Sequence, residues 1–140
     1  MKGVNWLGLV LALVAGQAIG FVWYGMVFEE RWMALSGVTA PEAGEANMAM
    51  AWGVVASLVV VVGLALAIPR LGKETLAGGA LIGLAAFVFF ALPTAALDMI
   101  YADDPAELLT LDAGYLLAFY VVAGALIGGV RLRRSTAAAA

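Results

Sequence analysis

The chain has 140 residues, 65% of them apolar and only 12% charged, with a formal net charge of −3. A soluble domain devotes about 25% of its residues to charge, and a chain this poor in ionic groups cannot keep a water-facing surface polar. The absence of Cys and His excludes disulfides, thiolate or imidazole metal sites and histidine acid–base chemistry, and no basic patch of the kind nucleic acid needs is present.

A hydrocarbon core about 30 Å thick requires helices of about 20 apolar residues. Four spans meet that length, at about residues 4–28, 48–68, 76–101 and 108–130. Runs such as VVASLVVVVGLALAI are apolar at every position and do not alternate, so the spans read as helices and not as barrel strands. The expectation is an all-α integral membrane four-helix bundle, one domain over residues 1–134 with a flexible tail at 135–140.

Lys2 and the following ALVAGQA imitate a signal peptide, but the apolar run continues to Phe28, which favours a retained span. Within it Gly8, Ala12, Gly16 and Gly20 recur every fourth residue, a stripe that lets a neighbouring backbone come close. Gly79 and Gly83 in the third span, and Gly124 and Gly128 in the fourth, repeat the device. Packing within the chain accounts for most of these positions, and one stripe is open to a homo-oligomer or membrane-protein partner. Gln17 falls nearest the bilayer centre, where its amide is expected to act as glue through an interhelical hydrogen bond. Beyond the span, Phe28, Trp32 and Leu35 stand at helical spacing and predict an extension of the first helix or a short interfacial one. Trp6 at one end, and Trp23, Tyr24, Trp32 and Trp52 at the other, read as interface anchors.

Thr39-Ala40-Pro41-Glu42 is a start signal that lets the second helix begin before its span. The turn at 70–75 carries Arg70 and Lys73. With Lys2, Arg131, Arg133 and Arg134 it places six of the seven bases on one side, and only Arg31 on the other. The positive-inside rule then predicts N-in/C-in, with the 70–75 turn cytoplasmic. In the third span Pro93 removes an amide donor and leaves the Phe89 carbonyl short of a partner, predicting a kink. Asp104-Pro105-Ala106-Glu107 reads as an N-cap acid, Pro at the first helical position and Glu at the third, opening the fourth helix. Asp103, Asp104 and Glu107 therefore punctuate an outer loop. They supply too few oxygens for a hard cation, and no metal is expected.

The polar residues that composition does not explain are Asp98 and Asp112. Asp112 lies two turns into the fourth helix, about 10 Å along its axis. Asp98 sits at comparable depth on the third, with Thr94 one turn earlier on the same face. Facing each other, the two carboxylates would favour a shared proton and an outward-opening proton or cation site. The plainer reading is that both reach headgroup water, or that Arg31 contacts Asp112 or Asp98 as a bidentate ion pair closing that end. Asn5 and Ser57 have structural readings. No phosphate loop, nucleophile elbow or zinc-protease motif is present, so neither an enzyme nor a cofactor is expected.

The segment Asn5 to Gly37, NWLGLVLALVAGQAIGFVWYGMVFEERWMALSG, resembles the opening of the bacterial domain-of-unknown-function 1761 family in its Asn-Trp start, its Gly before a Trp-Tyr pair and its later Trp. Leu111 to Gly129, LDAGYLLAFYVVAGALIGG, is similar to that family's final helix. Where the family often has a polar residue after Tyr115, this chain has Leu116. The resemblance implies a small four-span inner-membrane protein and no established activity. A structural or accessory protein is the expectation, with a small transporter or channel using Asp98, Asp112, Arg31, Tyr115, Thr94 and Gln17 as the alternative.

Overall fold

The computed structural model describes residues 4–38 and 43–130. The Thr39–Glu42 start signal, the bases Lys2, Arg131, Arg133 and Arg134, and the tail at 135–140 lie outside the described residues. Every regular element among the described residues is helical.

Helix α1, Trp6–Val22, starts where the Asn5 side chain accepts the Gly8 amide at 3.0 Å, satisfying one of the first-turn donors that a helix leaves unpaired. It runs into a single wide turn of π-helix, Trp23–Val27, whose ring is closed by the Phe28 amide on the Trp23 carbonyl. The short helix α2, Glu29–Ser36, follows and stops at Gly37 with φ +66°, a left-handed stop that suits glycine. Trp32 and Leu35 thus belong to a separate short helix capped by Phe28, and not to an extension of the first.

Helix α3, Ala43–Arg70, begins five residues ahead of the expected span and turns back through Gly72 at φ +65°. Thr75 caps α4, Leu76–Ala86, by accepting the Gly78 amide at 2.9 Å. Another π turn, Phe87–Ala91, joins α4 to α5, Leu92–Ala102. The Leu92 amide bonds to the Phe87 carbonyl across this wider ring, so the irregularity expected from Pro93 takes the form of one π turn just ahead of the proline. Helix α6, Ala106–Gly129, completes the fold. Pro105 occupies its cap, with no side-chain cap bond, and the acid cap expected of Asp104 does not form. The two aspartates end the preceding helix instead. Asp103 adopts φ 58°, and the Asp104 amide reaches back to the Met99 carbonyl at 3.1 Å, a Schellman-type closure.

Four continuous helical stretches are long and apolar enough to cross a membrane, at Trp6–Val27, Gly44–Arg70, Leu76–Ala102 and Ala106–Gly129. The chain is a multi-pass membrane protein. Helix α6 is the element against which α1, α3, α4 and α5 all pack. Its Phe119, Ala123 and Ile127 meet Leu9 and Ala12 of α1 and Val61, Leu64, Ala65 and Ile68 of α3 in one apolar core. On the opposite flank α4 lies backbone to backbone on α6. A methyl at Gly79 would overlap the Gly124 carbonyl, one at Gly83 the Tyr120 carbonyl, and one at Gly128 the Thr75 carbonyl. Asn5 ties the start of α1 to the end of α6, its amide donating to the carbonyls of Ile127 at 2.6 Å and Val130 at 2.5 Å. The start of α1, the 70–75 turn and the end of α6 therefore share one end of the molecule.

Packing is uneven along the helices. Helix α5 buries none of its residues, and residues 44–56 of α3 are almost wholly exposed. The α1 stripe is uneven as well. A methyl at Gly8 would sit 2.7 Å from the Leu126 carbonyl and one at Gly16 would overlap the Phe119 ring, whereas at Gly20 it would meet Tyr115 at an ordinary 3.5 Å. Gly79→Ala is therefore expected to cost about 1–3 kcal/mol, as overpacking does. Gly20→Ala should stay within about 0.5 kcal/mol of the parent. Thermal unfolding of both variants in detergent checks the ranking.

Candidate functional site

At the end away from Asn5, the π turn of the first span re-aims two aromatic side chains towards α6. The Tyr24 hydroxyl donates to Asp112 Oδ1 at 2.7 Å. The Trp23 indole donates to the Leu111 carbonyl at 3.2 Å, and its ring closes on Gly114, where a methyl would lie 2.7 Å from it. Trp23 and Tyr24 are thus not outward-facing interface anchors: their polar tips are engaged on α6, as a donor inside a span requires. Trp6 and Trp52, in contrast, are exposed.

Around Tyr24 the aromatic rings form a continuous column. Trp32 of α2 meets it edge-on at 5.6 Å and Tyr115 of α6 at 5.1 Å, and Tyr115 lies parallel to Phe119 at 6.1 Å. Phe119 is part of the core, so the column runs from the short helix into the packed centre. The Tyr115 hydroxyl faces Ser57, a buried polar residue on α3. The T-shaped contacts at these separations suit the ring quadrupoles.

Asp98 and Asp112 line one cleft of about 60 Å³, together with Asp104, Ala95, Met99, Leu108 and Leu109. The two acids differ in setting. Asp112 is half-buried beneath Tyr24, whereas Asp98 is exposed on α5. Thr94 is exposed beside it and returns its hydroxyl to the Phe90 carbonyl at 2.7 Å, a local bond that keeps it from acting as a donor to Asp98. Gln17 is half-buried on α1 and makes no hydrogen bond among the described residues, so the interhelical glue expected of it is absent there. Among the described residues no three acids gather in a way that could hold a metal ion.

Arg31 does not contact Asp112 or Asp98. It pairs with Glu107, through Nε at 2.7 Å and through Nη2, with both side chains open to solvent at 61% and 52% exposure. The reason lies in the helix start. With α6 beginning at Ala106, Glu107 occupies the first turn beside α2, where a carboxylate also suits the helix dipole. Asp112 lies about 7.5 Å further along the axis, where Tyr24 already holds it. Sequence reasoning missed the Tyr24–Asp112 bond because a π turn shifts the helical register by one residue, and apolar spacing carries no mark of that shift. The only available signal was the aromatic pair Trp23-Tyr24 next to glycines at both Gly20 and Gly25.

The geometry yields opposite expectations for the two pairs. Tyr24→Phe and Asp112→Asn should be non-additive by about 0.6–1.7 kcal/mol, the range for hydrogen bonds between membrane helices. Arg31→Ala and Glu107→Ala should couple by about 0–1 kcal/mol and lose that coupling in high salt, and Arg31→Ala with Asp112→Asn should be additive. Double-mutant cycles read by thermal unfolding in detergent check all three.

No curated protein matches the chain, and no solved structure does. A family model described as "Protein of unknown function (DUF1761)" matches residues 7–128, taking in all but the first residue of α1, its π turn, the Tyr24–Asp112 contact and all but the last residue of α6. The chain belongs to that family.

Proposed function

We propose that the chain is a non-enzymatic, cofactor-free protein of the bacterial inner (plasma) membrane, a four-helix bundle with both termini cytoplasmic that acts as a structural or accessory element through helix–helix contacts. Its partners in this reading are the lipid bilayer and a second membrane-protein surface, either a copy of itself or another chain. The observation that carries the reading is that Asp112, the half-buried acid, is held by Tyr24 at 2.7 Å above a centre filled by apolar side chains. A carboxylate fixed by a donor serves to join the π turn of the first span to α6. The unpacked faces of α5 and of residues 44–56 are the surfaces left for a partner.

The cleft shared by Asp98, Asp104 and Asp112 favours a second reading, a small transporter or channel for a proton or cation. The two readings separate in proteoliposomes. Under an imposed proton or potassium gradient, the structural reading expects flux equal to that of empty vesicles, unchanged by Asp112→Asn. Flux above that level, abolished by Asp112→Asn or Asp98→Asn, would establish the second reading in its place.

Orientation has its own test. Six of the seven bases lie on one side by sequence, so the positive-inside rule expects reporter fusions at Ala140 and within the 70–75 turn to read cytoplasmic, and a fusion near Gly44 to read external. An external reading at Ala140 would overturn the topology.

A further inference from the structure

The glycine contacts hold α4 hard against α6, while α3 reaches α6 mainly through its second half. Between α3 and α4 this leaves a groove of about 450 Å³ that is open sideways. Val59, Gly63, Ala67 and Leu71 line one wall, Ile82 and Phe89 the other, and Tyr120 is the one lining residue that is not wholly apolar. Along α3 it extends from Val59 to Leu71, about 18 Å at 1.5 Å per residue. That is slightly more than one leaflet of a hydrocarbon core about 30 Å thick. Gly63 lines it without a side chain and is exposed, and a Cβ built there meets nothing within 4 Å.

The groove also has a charged end. Leu71 stands beside Arg70 and two residues from Lys73, and both bases are exposed. Arg70 commits Nη1 to the Leu66 carbonyl at 2.6 Å, which orients the guanidinium at the helix end and leaves its other donors without a partner among the described residues. The turn holds one acid, Glu74, against these two bases. An apolar channel of one leaflet's length that ends in two cations at the interface complements a molecule with a hydrocarbon chain and an anionic head. A second copy placed by a two-fold axis along the membrane normal would instead bring the two basic turns towards each other.

We propose that this groove binds one anionic phospholipid, with an acyl chain lying over Gly63 between α3 and α4 and the phosphate meeting Arg70 and Lys73. The site is independent of the structural or transport role of the chain, because it shares no residue with the Tyr24–Asp112 end. Basic residues at a membrane surface attract anionic headgroups, and the apolar walls add the chain contacts that separate a site from a diffuse attraction.

Native mass spectrometry of the full-length protein in detergent, with equal concentrations of palmitoyl-oleoyl phosphatidylglycerol and phosphatidylcholine, tests the site. The parent should retain one phosphatidylglycerol at least about fivefold more than phosphatidylcholine, the preference that a single surface cation confers, and up to about thirtyfold if both bases act in full. Arg70→Gln with Lys73→Gln should bring the two lipids to parity. Gly63→Leu adds a side chain whose Cβ meets no protein atom within 4 Å, and should lower retention of both lipids while leaving the melting temperature near the parent's. Equal retention of the two lipids by the parent, or unchanged adducts in Gly63→Leu, would overturn the proposal. So would a Gly63→Leu protein that lost a dimer while keeping its lipid, since the groove would then be a protein interface.

Discussion

The closest constraint in the molecule is the backbone-to-backbone approach of α4 and α6, where a methyl at Gly79 or Gly83 has no room beside the carbonyls of Gly124 and Tyr120. Lipid tails are as apolar as the side chains they meet, so membrane helices gain little from apolar burial and depend on van der Waals fit and polar contacts. Glycine on both faces of one helix pair provides that fit. Because α4 is seated so closely, the other flank of α6 can take both α1 and α3, and the last helix becomes the element that the others share. The Asn5 amide on the Ile127 and Val130 carbonyls then fixes the end of α6 against the start of α1.

The two π turns follow from different local causes and have different consequences. Ahead of Pro93, the wide turn at Phe87–Ala91 accommodates a residue that cannot donate, and beyond it α5 buries none of its residues. In the first span no proline is present. There the turn at Trp23–Val27 places an indole and a phenol on α6 at once. One irregularity thus goes with an unpacked outer half, and the other builds the polar contact that ties the first span to the last. The result is a molecule closely packed at the end holding Asn5 and the 70–75 turn, and asymmetric at the other.

Charge is distributed by the same division. Arg31 and Glu107 meet in solvent, where an ion pair contributes little, while Asp112 is held inside a span by a neutral donor. A carboxylate within a membrane segment marks either structure or transport, and the Tyr24 bond is the observation on which the proposed structural reading rests. The cleft that Asp112 shares with Asp98 and Asp104 is the feature that keeps the flux measurement informative.

The sequence by itself determined the class, the number of spans and the small-residue stripes, because membrane thickness and backbone desolvation impose lengths and compositions that can be read residue by residue. It also carried the family, whose model matches residues 7–128: the Trp-Tyr pair lies inside that match and the Asn-Trp start just ahead of it. Partners across the chain were legible only to the level of type: an acid that needs a donor, a base that needs an acid. Which atoms met was decided by the tertiary structure. Arg31 went to Glu107 because that acid lies in the first turn of α6 beside α2, and Asp112 went to Tyr24 because one π turn rotates the first span at Trp23. Gln17 found no hydrogen-bond partner among the described residues. Register and rotation depend on the close approach of helices far apart in sequence, and apolar periodicity in a span hydrophobic on every face carries no record of either.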